Sequence, residues 1–184
     1  MTSASILYEA DSVLKFWLEA EPRWFAPAPA FDDEFRRRFM AYHLAAAARR
    51  LDSWSEAAAS ALSLVILLDQ FPRNAFRHTA HMFATDPLAR LFARLALERG
   101  YDTADAALDA KLRKFFYLPF MHSEALEDQE RSVELFRNLD GTEYAETHAA
   151  VIRRFGRFPH RNAALGRVIT SDEQSFLDAG GFAG

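Results

Sequence analysis

The sequence predicts an all-α fold: a single domain of antiparallel helices arrayed around one buried helix near residues 53–70. Three observations predict it. From Ala57 to Leu68 only Ser60 and Ser63 interrupt an apolar run, and a helix that keeps no polar face is one surrounded by other helices. No segment alternates β-branched and polar residues as a half-buried strand does. Amphipathic stretches of helical period follow one another instead, and the seven Gly and seven Pro fall mostly where those stretches end. Short connections between such helices make neighbours antiparallel.

Composition bounds the function classes. The 184 residues suit one domain, 1–184, with a sizeable core. Half of them are apolar and 17 are Phe, which argues against a largely disordered chain. A net charge of −4 argues against wholesale nucleic-acid binding, which calls for a basic excess. With no cysteine there is no disulfide, thiolate nucleophile or thiolate metal site, a composition that fits a reducing cytoplasm, the expected compartment. The apolar run falls short of the ~20 residues that span a bilayer. Met1 to Glu9 lacks the basic region and long apolar core of a secretory signal. No membrane association is expected.

The elements follow in order. Val13-Leu14-Lys15-Phe16-Trp17-Leu18 marks a first helix, and Trp24 and Phe25 are expected to anchor the Pro-broken loop from Glu21 to Ala30. A second helix begins at Asp32 as N-cap, with Asp33 and Glu34 at the positive end of its dipole. Its stripe is Phe31, Phe35, Phe39, Tyr42 and Ala46, with Arg36, Arg37 and Arg38 on a solvated face. The central helix opens on Ser53-Trp54-Ser55-Glu56, which has the form of a capping box, and Pro72 is expected to stop it. Thr85-Asp86-Pro87 starts an amphipathic helix carrying Leu88, Leu91, Phe92 and Leu95, with Gly100 past its end. A further helix is expected from about Thr103 to Tyr117, broken by Leu118-Pro119. Ser123-Glu124 caps the next, whose inner face is Leu126, Val133 and Phe136. Thr142 opens another, with Tyr144, His148, Val151, Ile152 and Phe155 in one stripe and Gly156 as its stop. Thr170-Ser171-Asp172-Glu173 is a second capping box before a short last helix, and residues 180–184 are expected to fray.

Polar residues in apolar settings are the candidates for function. Asp69 and Gln70 directly follow the greasiest segment. An acid at a helix C-terminus opposes the dipole by roughly 0.3–1 kcal/mol, so Asp69 needs a partner, and Arg73 or Asn74 is nearest. These groups either tie down the turn or line a pocket at the mouth of the helix. Glu130 lies at the edge of an inner face, where a carboxylate needs a cation or a raised pKa, the setting of a general acid or base. Gln129 falls within that face. His122 caps a helix or projects into a cleft, while His148 fits a hydrogen-bonded core residue. His78 and His81 have no obvious third ligand, and neither a metal nor a cofactor is expected.

The last third is divided by charge. Glu124 to Glu146 holds eight acids against Arg131 and Arg137, whereas Thr147 to Ser171 holds no acid but has Arg153, Arg154, Arg157, Arg161 and Arg167. The basic segment could cradle an anion on Arg157 and Arg161, or the two halves could simply neutralise each other. Phe71-Pro72-Arg73-Asn74 and Phe158-Pro159-His160-Arg161-Asn162 echo one another, each after a helix end. No Gly-x-Ser-x-Gly elbow, phosphate loop or dinucleotide turn is present.

Five blocks carry a family resemblance: Leu67-Leu68-Asp69-Gln70-Phe71-Pro72-Arg73-Asn74, Phe83-Ala84-Thr85-Asp86, Tyr117-Leu118-Pro119-Phe120-Met121-His122-Ser123-Glu124, Asp128-Gln129-Glu130-Arg131-Ser132-Val133, and Arg154-Phe155-Gly156-Arg157-Phe158-Pro159-His160-Arg161-Asn162. Together with Phe16-Trp17 and Trp24-Phe25 they resemble the bacterial family called domain of unknown function 924 over nearly the whole chain. The resemblance implies an all-α fold classed as tetratricopeptide-like, and no activity. The chain departs from the family pattern at His78, where a small residue, commonly Gly, is usual, and at Val168-Ile169-Thr170, where the family tends to a polar Glu-Ser-Thr.

Two functions are expected on these grounds. The first is a helical-repeat-like binding or adaptor module for a protein or peptide. Its polar cleft would be lined by Asp69, Gln70, Arg73, Asn74, His122, Glu124, Gln129, Glu130, Arg157, His160, Arg161 and Asn162. The alternative is an enzyme acting on a small anionic metabolite, for example a phosphorylated one. Arg73, Arg157 and Arg161 would then hold the anion while Glu130, His122 or Asp69 moves a proton. A closed polar cavity favours the enzyme and an open apolar groove the adaptor. A homo-oligomer is compatible with both.

Overall fold

Helix α3 (Ala58–Ala75) runs through the middle of a computed structural model that describes residues 9–26, 28–106, 108–137, 139 and 141–184. Every residue from Ala61 to Pro72 is buried. Helices α1 (Ala10–Glu19), α2 (Pro29–Ala47) and α4 (Asp86–Glu98) pack around it, which is how a sequence greasy on all sides is kept from water. Two short helices, α5 (Ala110–Arg113) and α6 (Leu118–Met121), lead into α7 (Leu126–Phe136), which lies against α8 (Thr142–Phe155). A last helix, α9 (Ser171–Asp178), packs on the turn at Pro159–Arg161. The chain is an all-α single domain. Among the described residues there is no strand, and no helix is long and apolar enough to cross a membrane.

The aromatic stripe of α2 packs against α1. Phe16 stacks on Phe31 and Phe35, with ring centroids 5.3 Å apart in both pairs, and Trp17 meets Phe115 edge-on at 5.3 Å. Trp24 is buried and donates its indole N–H to the Trp17 carbonyl, the anchor expected of it. Phe25 is 66% exposed and anchors little. Arg36, Arg37 and Arg38 are exposed, as a solvated face should be.

Several expected boundaries move, each for a local reason. Pro29 supplies the first turn of α2 with its fixed φ, so Asp32 sits inside the helix and pairs with Arg77 at 2.7 Å. Asp52–Glu56 forms a 3-10 turn rather than a capping box, and α3 begins at Ala58 with Ala57 as its N-cap. Nor does Pro72 stop α3, which continues to Ala75. A proline inside a helix leaves the carbonyl four residues back without a donor. Here that carbonyl belongs to Leu68, and the Thr85 hydroxyl donates to it at 2.6 Å.

The helix expected from Thr103 to Tyr117 is broken into short turns and α5, because Asp109 caps Lys111 N at 2.9 Å and restarts the chain. Pro119 sits in the first turn of α6, where its missing N–H is harmless. On α7 the N-cap is Ala125, and the buried face is Asp128, Gln129, Ser132 and Phe136, with Leu126 exposed. Tyr144 on α8 is likewise exposed, whereas Val151 and Ile152 are buried.

Gly156 ends α8 at φ +67°, and Thr170 with Glu173 forms the expected reciprocal capping box of α9. Instead of trailing off, the segment after α9 turns back, and Phe182 packs against Val151, Ile152 and Phe158. The expectation for the leading residues, 1–8, lies outside the described residues.

Truncating Leu67 to Ala should lower unfolding free energy by about 2–5 kcal/mol in urea titrations. Thr85→Val keeps the shape but strands the Leu68 carbonyl, so a loss of about 1–3 kcal/mol is expected. An unchanged urea midpoint for Thr85→Val would remove the hydroxyl from this account of Pro72.

Candidate functional site

The last turns of α3 carry a polar cluster into the interior. Asp69 is 1% exposed, and its Oδ1 lies 2.8 Å from Nδ1 of His122, which stands at the end of α6. Its Oδ2 accepts from the Gln70 amide at 2.6 Å, and Arg73 Nη1 is 3.1 Å from Oδ1. Arg73 then forks onto Asp86, the first residue of α4, at 2.8 and 3.1 Å. Arg161 approaches Asp86 from the other side. Its Nη1 is 3.7 Å from Oδ2, beyond hydrogen-bonding reach, and its guanidinium lies over the rings of Phe83 and Phe158. The two echoing sequence blocks therefore meet across Asp86.

Neighbouring elements hold this cluster in place. Gln129 donates from its amide to the carbonyls of Met121 and Ser123 at 2.7 and 2.6 Å, bracketing His122. Glu124 accepts from both terminal nitrogens of Arg167 at 2.8 Å and from Phe158 N at 2.9 Å, which ties the approach to α7 to the 158–161 turn. His148 of α8 lies with its ring centroid 6.5 Å from that of His122 and donates to the Tyr144 carbonyl at 2.6 Å. His160 joins His148 against the rings of Phe158 and Phe182.

The electrostatics follow from burial and pairing. Burial drives the Asp69 carboxyl up, but Arg73, His122 and Gln70 outweigh it and hold the group well below the usual carboxylate range. Burial works against the charge on Arg73 too, and Asp69 and Asp86 more than offset it. Burial, with Arg73 adding to it, pushes Arg161 down to about 10, so it stays cationic at neutral pH. Burial and Arg73 also lower His122 against the pull of Asp69. With Asp69 ionised, His122 carries its proton on Nδ1 and presents the Nε2 lone pair.

The cluster has unmet hydrogen-bonding capacity. Arg161 Nε, His160 Nδ1 and Asn162 Oδ1 are buried with no partner among the described residues. Buried polar groups are normally satisfied, so three orphans on one turn mark a place where a ligand or water belongs. No group of three or more His, Asp or Glu among the described residues is placed to hold a metal ion. A separate surface pocket of about 370 Å³, lined by Arg94, Phe120, Asp128 and neighbours, contains no residue of the cluster.

The residues named from the sequence divide into groups. Asp69, Gln70, Arg73, His122, Glu124, His160 and Arg161 gather in or beside the cluster, with Gln129 beneath it. Asn74 turns to the Gln70 carbonyl and accepts from Arg77. Arg157 and Asn162 donate to Glu173, which Arg157 forks at 2.6 and 2.8 Å. Glu130 does not join them: it is exposed, and its side chain has no ion pair or hydrogen bond among the described residues. The buried acid of α7 is Asp128, two residues earlier, bonded to Arg94, Arg90 and Ser123. The twelve residues do not share one concave face.

Two buried acids are not singled out by the sequence pattern. An inner face of α7 phased on Leu126 and Val133 leaves Asp128 off it. Asp86 reads in sequence only as part of a helix start, although it lies in one of the five blocks.

The family model described as Bacterial protein of unknown function (DUF924) matches residues 13–181. The chain belongs to this family. A solved structure, that of the protein of unknown function ATU0120 from Agrobacterium tumefaciens, is 50% identical in sequence. It matches with a TM-score of 0.88, covering 92% of this chain and 97% of that one. No curated protein matches the chain significantly. The DUF924 match encloses the whole polar cluster, from Asp69 to Arg167.

Burial also sets a pH dependence. His148 and His160 are pushed down to about 4, chiefly by burial, from an unfolded value of about 6.5. Above that value both states are neutral and stability is complete. As pH falls toward 4 the unfolded chain takes up protons that the folded chain refuses, so stability is lost. After discounting for solvent access, the loss should be on the order of 1–2 kcal/mol per histidine. Urea midpoints between pH 7.5 and 4.5 should fall accordingly, and less steeply in His148→Gln. A flat profile would contradict the assignment.

Proposed function

We propose that the cluster of Asp69, His122, Arg73 and Arg161 is a proton-transfer site for a small anionic substrate, of the phosphorylated or carboxylated metabolite class. One observation carries this reading. Arg161 is a buried guanidinium whose Nε lacks an acceptor and whose nearest cluster carboxylate, Asp86, stands at 3.7 Å; Arg73 joins that carboxylate to Asp69, which orients the His122 imidazole.

A guanidinium taken out of water is stable only when its donors are met, and a phosphate or carboxylate offers the forked acceptors that suit it. Neutral His122, held by Asp69 through Nδ1, can accept a proton on Nε2. The resulting imidazolium would be stabilised by the same carboxylate. Arg161, and Arg73 through its fixed orientation, would hold the negative charge of the substrate near that proton. The adaptor reading has less support, because the motif side chains turn inward and pair with one another rather than line an open apolar groove. A tetratricopeptide-like arrangement of the helices and a cytoplasmic setting belong to the same proposal, in keeping with an all-α chain that has no cysteine.

Calorimetric titration with inorganic phosphate and with succinate is the direct test. Binding is expected to the native chain, and Arg161→Gln should weaken it by at least about tenfold, equivalent to about 1.4 kcal/mol. In ¹⁵N spectra of the histidines, His122 should show the Nδ1–H tautomer and shift on phosphate addition. Neither anion binding, or equal binding to Arg161→Gln, would sink the proposal.

A further inference from the structure

The segment after α9 covers the histidines beside this site. Gly180 leaves the helix at φ +77°, in the left-handed region, and carries the chain back over α8. Gly181 then passes so close to Phe176 that an added Cβ would come within 2.5 Å of its ring. The Phe182 ring lies 4.3 Å from His148, 5.3 Å from His160 and 6.1 Å from Phe158, centroid to centroid. Gly184 reaches His160, whose Nε2 lies 3.0 Å from where a Cβ on that glycine would stand.

This cover has somewhere else to go. Phe182 also borders a groove of about 320 Å³, whose other lining residues are Thr147, Ala150, Val151, Arg154 and Phe176. Its walls are largely apolar, and it has room for a phenyl ring. Phe182 thus stands between two apolar settings, one against the imidazoles and one between α8 and α9. The ring is half-buried, and moving from the first to the second exchanges its contacts with His148, His160 and Phe158 for contacts with the groove walls.

We propose that residues 180–184 form a strap whose Phe182 ring closes the polar site from the His148–His160 side and opens it by swinging into the groove between α8 and α9. The inference rests on the anion-site reading for its purpose but not for its geometry. In the closed position the ring covers one side of His148 and His160, which are half-buried. In the open position it uncovers both imidazoles and, behind them, His122 and Arg161. Access to the site is then set by the balance between two placements of one side chain.

Diethyl pyrocarbonate, which acylates exposed neutral imidazoles, reads this movement without any substrate. The intact chain at pH 7 would be treated and the acylation rate of each histidine read by peptide mass spectrometry. Phe182→Ala should raise the rates at His148 and His160 by about tenfold or more, as expected when a cover is removed. The rate at His43, buried on another side of the molecule, should stay unchanged. Ala150→Leu, which fills the groove, should slow His148 and His160 below the native rates. Unchanged rates in both variants, or a parallel rise at His43 that signals general loosening, would overturn the strap. Phosphate titration of Phe182→Ala separates the two ideas. Binding with unchanged histidine rates refutes the strap alone, and opened histidines without binding refute the anion reading alone.

Discussion

The buried carboxylate of Asp69 is the constraint on which the rest of the molecule depends. It lies in the last turns of a helix that is otherwise surrounded by hydrocarbon, where an unpaired charge would be prohibitive. Everything near it is arranged to prevent that: Arg73 from the next turn of the same helix, Gln70 beside it and His122 from α6. Arg73 in turn needs Asp86, so the start of α4 is drawn to the same point. One acid therefore fixes three segments distant in sequence, and it does so with directed bonds rather than with packing. Such networks carry high stakes, because a partly broken one leaves a charge stranded in low dielectric.

Charge balance explains why one arginine of the cluster stands out. Asp86 is already forked by Arg73 when Arg161 reaches it, and Glu124 is taken by Arg167 and by a backbone N–H. Arg161 is left with aromatic faces and a distant carboxylate. Stacking on Phe83 and Phe158 holds its plane without using its donors. The guanidinium is thereby oriented and buried while part of its hydrogen-bonding capacity remains open. Arg157, a few residues away and equally basic in sequence, is consumed by Glu173 and has no such capacity.

The helical class, the buried central helix, the stops at Gly100 and Gly156 and the cap at Thr170 are legible in the sequence, because each rests on local propensity or on a short-range pattern. Asp69 with Arg73 was legible for the same reason: the two lie one turn apart. The pairing of His122 with Asp69, and of Arg161 with Asp86, spans residues far apart in the chain, and no spacing rule announces it. Glu130 falls outside the site because amphipathicity fixes a helix face only to within a residue or two, and α7 buries Asp128, Gln129 and Ser132 where the sequence predicts an apolar stripe. His78 departs from the family pattern. Its φ of +64° supplies the physical reason a small residue is usual there, since the left-handed region favours glycine.

Pro72 has a wider consequence than a missing backbone bond. The carbonyls just before it look outward: that of Leu67 accepts from His43 on α2, and that of Leu68 accepts from Thr85 at the head of α4. Greasy helices packed by dispersion alone slide past one another with little penalty, and many alignments would be nearly equivalent. Two hydrogen bonds made to adjacent carbonyls of one helix, from two different neighbours, leave a single alignment in which both are kept. The proline thus helps set the register of three helices, and with it the position from which Asp86 meets Arg73.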